Sequence, residues 1–189
     1  MNKKSKPIED ISRGIEIEFN ALRNEVLKRI EIREHISQIT LGLAGVFQSV
    51  GLANPVIAFI YPTLSFFLAV GWAQNDIRIR QLGNYIRNKL EPALPGLAWE
   101  SHRKNIEEQT RTSLWHFVIL SHGGIFVTTQ IMAIGIGIFK FTYTLIEQVL
   151  LGVDLLSILL TFILLEYVRR ASDRIDFRSE KTNPKRRMP

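Results

Sequence analysis

Apolar residues recur at helical spacing along the first part of the chain. Ile8, Ile11, Ile15, Phe19, Leu22, Val26 and Ile30 cover 22 residues in six steps, a mean of 3.67. That period fits a straight amphipathic helix better than the 3.5-residue seam of a coiled coil. Glu25 and Arg29 add a favourable i,i+4 pair on its surface. The spacing predicts a helix over residues 8–35 whose apolar face needs a partner, either another helix or a membrane surface.

Beyond residue 35 the pattern turns from amphipathic to uninterrupted. Ile36 to Asn75 is a run of 40 residues without Asp, Glu, Lys or Arg, and Thr112 to Phe139 is another of 28. Between Gln148 and Leu165 the one charged residue is Asp154. Apolar runs of about 18 or more residues read as transmembrane helices. Asn54-Pro55 breaks the first run, because the residue before proline is turned away from helix. Four spans are predicted, at about 36–53, 56–73 (with Pro62 as a kink), 114–139 and 148–165.

The same periodicity organises the connections. Ile79, Leu82, Ile86 and Leu90 continue the second helix until Glu91-Pro92 ends it. Trp99 to Ser113 resumes as a polar helix entering the third span, and Glu166 to Asp176 extends the fourth. Ser179 to Pro189 reads as a disordered basic tail. The expected fold is all-α: an integral membrane bundle of four transmembrane helices in two hairpins with cytoplasmic helical extensions. Its parts are an amphipathic helix (1–35), a first hairpin (36–73), a helical loop (74–113), a second hairpin (114–165) and a basic tail (166–189).

Charge sets the orientation. Eight basic residues precede Ile36, seven lie in the central loop and eight in the tail, whereas Lys140 stands alone in the second turn. Thus 23 of 24 basic residues fall on one side of a four-span chain, which the positive-inside rule makes cytoplasmic. Both termini are expected in the cytoplasm, in a multi-pass protein of a bacterial inner membrane. This topology accounts for the net charge of +6. Anionic lipid at the cytoplasmic face is therefore the expected electrostatic partner, and nucleic acid is not.

Composition removes several chemistries. With no cysteine, the chain has no disulfides, thiolate metal sites or thiol catalysis. It carries no P-loop, dinucleotide fingerprint, zinc-protease motif or nucleophile elbow. Arg111-x4-His116 and Arg29-x5-His35 resemble the active-site spacing of HEPN-type ribonucleases. Both pairs stand at membrane entry points, where arginine and histidine are expected anchors. Neither an enzyme nor a cofactor is expected.

Asp154 is the most informative side chain. A carboxylate inside a span faces the bundle interior or water and is a functional candidate by default. Glu147, Asp154, Ser157 and Thr161 fall on one stripe of the fourth helix. His122 on the third span, with Ser121, Thr128 and Thr129, is a candidate partner able to relay protons near neutral pH. The alternatives are, for Asp154, a hydrogen-bonded structural acid or a span shifted so that it lies near the outer interface, and, for His122, a histidine tied to a backbone carbonyl. In the first hairpin, small residues align at Gly42, Gly45, Ser49 and Ala53, and at Ala58, Pro62, Ser65, Ala69 and Ala73. Such stripes let membrane helices approach closely, within the hairpin or, second, across an oligomer seam.

The stretch Gly71-Trp72-Ala73-Gln74-Asn75-Asp76 through Tyr85-Ile86-Arg87, followed by Leu94-Pro95-Gly96-Leu97-Ala98-Trp99-Glu100, is similar to a family of uncharacterised small bacterial polytopic membrane proteins. The layout of membrane hairpin and cytoplasmic helices resembles SLATT-type effectors of bacterial defence systems. That resemblance implies a membrane effector. The expected function is an oligomeric pore or membrane effector gated through the cytoplasmic helices. A structural or regulatory partner of a cytoplasmic protein is the first alternative, and a small transporter working as a dimer is the second.

Overall fold

The computed structural model describes the backbone of residues 6–93, 99–139, 142 and 144–182, and side chains within 13–93, 99–102, 123–139, 142 and 144–171. The fold is all-helical, with no strand among the described residues. Four long helices make it: α1 (Lys6–Gly51), α2 (Pro55–Tyr85), α3 (Trp99–Phe139) and α4 (Leu145–Thr182). The amphipathic segment and the first apolar segment form one unbroken helix of 46 residues. α2 is the centre of the assembly and packs against each of the other three.

Local chemistry sets the helix ends. Asn54 takes an extended backbone, and its side chain accepts from the Val56 N–H at 3.1 Å. Pro55 then opens α2, at a position where its missing N–H costs nothing. Gly51 allows the tight return: a Cβ there would lie 2.6 Å from the Ala58 Cβ and 3.2 Å from its Cα. Neither atom can give way. Gly51→Ala is therefore expected to lower stability by about 2 kcal/mol, the usual cost of overpacking. Thermal melting in detergent measures it, and an unchanged midpoint would show that the turn relaxes.

α2 does not stop cleanly at its proline signal. Its regular bonding ends at Tyr85, a π-helical turn follows over Ile86–Leu90, and a 3-10 turn over Glu91–Ala93. The Glu91 N–H reaches back to the Ile86 carbonyl in this wider turn. At the other end of the chain α4 runs to Thr182, so residues 179–182 are helical where a disordered tail was expected. Arg178, Glu180 and Lys181 are good helix formers, and no breaker precedes Asn183-Pro184.

Three apolar clusters stack along the bundle. The apolar face of α1 meets the end of α2, with Phe19, Val26, Ile79, Ile86 and Leu90 buried and Leu22 and Ile30 beside them. The two predicted stripes thus partner each other. Ala69, Trp72, Ala73, Phe126 and Val168 form the middle cluster, and Trp72 meets Phe126 edge-on at 6.1 Å. Ala44, Tyr61 and Ala133 form the third.

The small-residue stripes divide. Ala58, Pro62, Ser65, Ala69 and Ala73 are all buried. Gly42, Gly45 and Ser49 instead lie on the exposed side of α1, and a Cβ on either glycine would meet nothing within 4 Å. Ala44 is the small residue that α1 turns inward. The hairpin closes through the α2 stripe, and the expected two-sided small-residue contact does not form. Within an apolar span, sequence contrast is too weak to say which face is the inner one.

Among the described residues, two helical segments are long and apolar enough to cross a membrane, Pro55–Ala93 and Leu145–Ala171. Gly123–Phe139 is a shorter apolar helix. The apolar half of α1 is diluted by Ser37, Gln38, Thr40, Gln48 and Ser49 and ends at Gly51. Leu155, Leu156, Leu159, Phe162 and Ile163 of α4 are all more than half exposed, a surface that water would not tolerate at this density.

Candidate functional site

The bundle interior is polar where it should be driest. Tyr61, fully buried, donates to the Thr129 hydroxyl at 2.9 Å, and the Thr40 carbonyl lies 3.2 Å away. Thr129 passes its own proton back to the Ile125 carbonyl at 2.7 Å. One residue on, the Gln130 amide donates to the Pro62 carbonyl at 3.3 Å and the Thr161 hydroxyl at 3.1 Å. Thr63 and Ser157 share a hydrogen bond at 3.4 Å. Polar groups from all four helices therefore meet inside one core.

Asp154 sits at the end of this row. It has no exposed surface, and neither carboxylate oxygen has a hydrogen-bond partner. The antiparallel pairing of Gln130 with Thr161 sets Asp154 at the level of residue 137. There Gly137 receives the Phe59 ring so closely that a Cβ would lie 2.5 Å from it. Phe59 is itself fully buried. Buried polar groups are almost always bonded, so an orphaned carboxyl in a packed core marks either stored strain or function. The Ser65 hydroxyl and the Gln130 Oε1 are likewise buried without partners. Together these atoms give the core spare hydrogen-bonding capacity on α2, α3 and α4.

The other predicted site residues have separate fates. Ser157 and Thr161 are buried on the same face of α4 as Asp154, each with its hydroxyl donating to a carbonyl four residues earlier. Glu147 is buried as well, but its bonds run to the turn before α4. It accepts from the Thr142 N–H and hydroxyl at 2.9 Å and from the Thr144 N–H at 3.2 Å. The Glu147 N–H returns to the Thr144 hydroxyl at 3.3 Å, the reciprocal geometry of a capping box. The structure gives Glu147 a place at the helix start rather than in the interior row. The side chain of His122 lies outside the described residues, as do those of Ser121, Arg111 and His116. Thr129 faces inward and Thr128 outward.

A second polar centre joins α1 to α2 between the first and the middle apolar cluster. Asp76, only 4% exposed, accepts from Arg33 at 2.9 Å and from Arg80 at 3.0 Å. Arg29 is held by Glu25 at 2.6 Å and approaches the Asn75 amide oxygen at 3.5 Å. Where α3 begins, the Glu91 carboxylate accepts from the Glu100 and Ser101 N–H groups, and from the Ser101 hydroxyl at 2.6 Å. A carboxylate from the end of α2 thereby caps the N-terminus of α3. The Arg23 guanidinium lies 5.6 Å from the Trp99 ring centre. Gly71 to Glu100, singled out by resemblance, is thus the segment that carries Asp76, Glu91 and Trp99.

These features define an all-helical protein with a polar interior and with helices long and apolar enough to cross a membrane. Comparison with protein-family models, curated proteins and solved structures gave no match, so the functional reading stands on the geometry alone. Among the described residues no group of His, Asp and Glu side chains is placed to hold a metal ion.

Proposed function

We propose that the chain is a multi-pass protein of the bacterial inner membrane that acts as an oligomeric pore or membrane effector, gated through its cytoplasmic helices. The observation that carries this reading is Asp154, fully buried and unbonded on the same face of α4 as Ser157 and Thr161, which bond to polar side chains of α2 and α3. An interior carboxylate aligned with polar neighbours is the usual furniture of cation and proton paths. The packed core corresponds to a closed state. Gating follows from continuity, because α1 and α2 run without a break from the charged Asp76 centre to the polar row. A shift of the stalk helices would change the spacing around Asp154.

The oligomer is supported by the outward face of α1, where Gln38, Gly42, Gly45 and Ser49 are exposed. That face is too polar for an ideal lipid contact and smooth enough for a second copy. The four-span topology is supported by Thr40 and Thr129 meeting Tyr61, which brings the diluted half of α1 and the apolar part of α3 into the same layer as α2. Reporter fusions at Ser5, Pro95 and Lys185 are expected to report the cytoplasm. An external signal at Pro95 would break the four-span arrangement.

One observation favours the alternative of a regulatory partner. Ile17 is 62% and Leu27 50% exposed on the stalk part of α1, which leaves apolar surface for a cytoplasmic protein. Mass measurement of the detergent-solubilised protein, joined to ion flux from liposomes, separates the two. A monomer without flux supports the partner, and a conducting oligomer supports the pore.

A further inference from the structure

A groove outside the polar interior lies between α2 and α4. It has a volume of about 720 Å³. Residues 162, 163, 166, 167 and 170 form one side, on a single face of α4, and Ile77 and Gln81 form the other, one turn apart on α2. Its chemistry changes along its length. At one end Phe162, Ile163 and Ile77 present an apolar trough, continuous with the exposed leucines of α4. At the other end stand Gln81, Glu166 and Arg170, with the ring of Tyr167, 61% exposed, at the junction.

The polar end carries excess positive charge. Among the described residues Glu166 is the one acid lining the groove, and both Arg169 (3.7 Å) and Arg170 (2.9 Å) lean on it. Arg170 uses its Nε for that pair, and among the described residues its two terminal nitrogens have no other partner. Across the groove the Gln81 Oε1 accepts from Arg78 at 3.3 Å, so the amide nitrogen is the atom left to donate. A guanidinium edge on α4 and an amide N–H₂ on α2 thus both line the groove beside its apolar trough. Guanidinium groups bind phosphate through paired N–H donors, and tyrosine and arginine are the side chains that settle at the headgroup level.

We propose that this groove binds one anionic phospholipid, with its phosphate between Arg170 and Gln81 and an acyl chain along Phe162, Ile163 and Ile77. The proposal rests on the membrane placement argued above and not on conduction through Asp154. The occupant follows from the pairing of charge and shape: a free anion would leave the trough bare, and an uncharged lipid would leave the arginine excess unanswered. Because the groove joins α2 to α4, a bound lipid would tie the central helix to the most exposed one.

The test uses the full chain purified in detergent, with phosphatidylglycerol, phosphatidylcholine and inorganic phosphate as probes. Native mass spectrometry counts retained lipid, and titration gives its affinity. The wild type is expected to keep one phosphatidylglycerol per chain, at least tenfold more tightly than phosphatidylcholine. Arg170→Ala should weaken that binding at least tenfold, and Ala171→Phe, which fills the groove without touching charge, should do the same. Arg169→Ala, outside the lining, removes charge that reaches the groove through Glu166 and should weaken binding less than about threefold. Equal weakening by Arg169→Ala would overturn the proposal, because the attraction would then be general surface charge. Displacement of the lipid by millimolar phosphate, or equal retention of phosphatidylcholine, would overturn it as well. Carbonate extraction of cell membranes reports independently on the membrane placement, so its failure is distinguishable from loss of the lipid site.

Discussion

Asp154→Asn is expected to cut ion flux from proteoliposomes at least tenfold while insertion and assembly are unchanged. Asparagine keeps the volume and the hydrogen-bonding capacity of the side chain but cannot carry the charge that attracts a cation, nor release a proton. The structure sharpens the companion variant. Because neither Asp154 oxygen has a partner, Asp154→Leu removes no bond. It also relieves the desolvation of a buried acid. Replacing buried charge with apolar volume is often neutral or stabilising by about 1–4 kcal/mol. Asp154→Leu should therefore melt no lower than the wild type and be equally inactive. A residue whose removal improves the fold and ends the activity is retained for function. Wild-type flux in the Asn variant would remove Asp154 from the mechanism, and clear destabilisation by Leu would restore it to a structural role.

The second large effect belongs to Asp76. It is 4% exposed and bound by two arginines from two helices. Asp76→Ala leaves Arg33 with the more exposed Glu34 at 3.3 Å and takes from Arg80 the buried acid that it bonds at 3.0 Å. Breaking a buried pair by removing one member costs about 3–5 kcal/mol. The arginine side chains are 22% and 28% exposed, which places the expected loss near the lower end, about 3 kcal/mol. Thermal melting in detergent reads it. Adding Arg33→Leu to Asp76→Ala should recover part of the loss, because the cation that Asp76 neutralised is then gone. No change in the single variant would show that water already screens the cluster.

The sequence made the helices, the Asn54-Pro55 turn and the stalk contact legible, because each has a local signal. Seven apolar positions at a 3.67-residue mean predict the α1 face that meets Ile79, Ile86 and Leu90. The inward stripe of Asp154, Ser157 and Thr161 was equally readable, since polar residues in an apolar run stand out. What was not readable is pairing between distant residues. Nothing local ties Asp76 to Arg33, 43 positions earlier, or Gln130 to Pro62 and Thr161. Glu147 falls on the seven-residue stripe of α4, but Thr144 stands three residues before it, and the structure closes the two into a reciprocal cap that the stripe did not anticipate. The outward turn of Gly42 and Gly45 had no signal at all, because lipid and protein neighbours ask for the same apolar character.

The unbroken length of α1 has a mechanical consequence. At about 1.5 Å per residue, its 46 residues span about 69 Å, roughly twice the hydrocarbon thickness of a bilayer. Arg33, clamped to Asp76, stands near the fulcrum, and the arm from there to Lys6 is about 40 Å long. A tilt of about 5° at the clamp, shared with the end of α2 on which Phe19 and Val26 are packed, would carry the far end about 3.5 Å sideways, the scale on which packed helices exchange one seating for another. Whatever pushes on that end works with leverage. The force it must supply is smaller, and the displacement larger, than at the clamp itself.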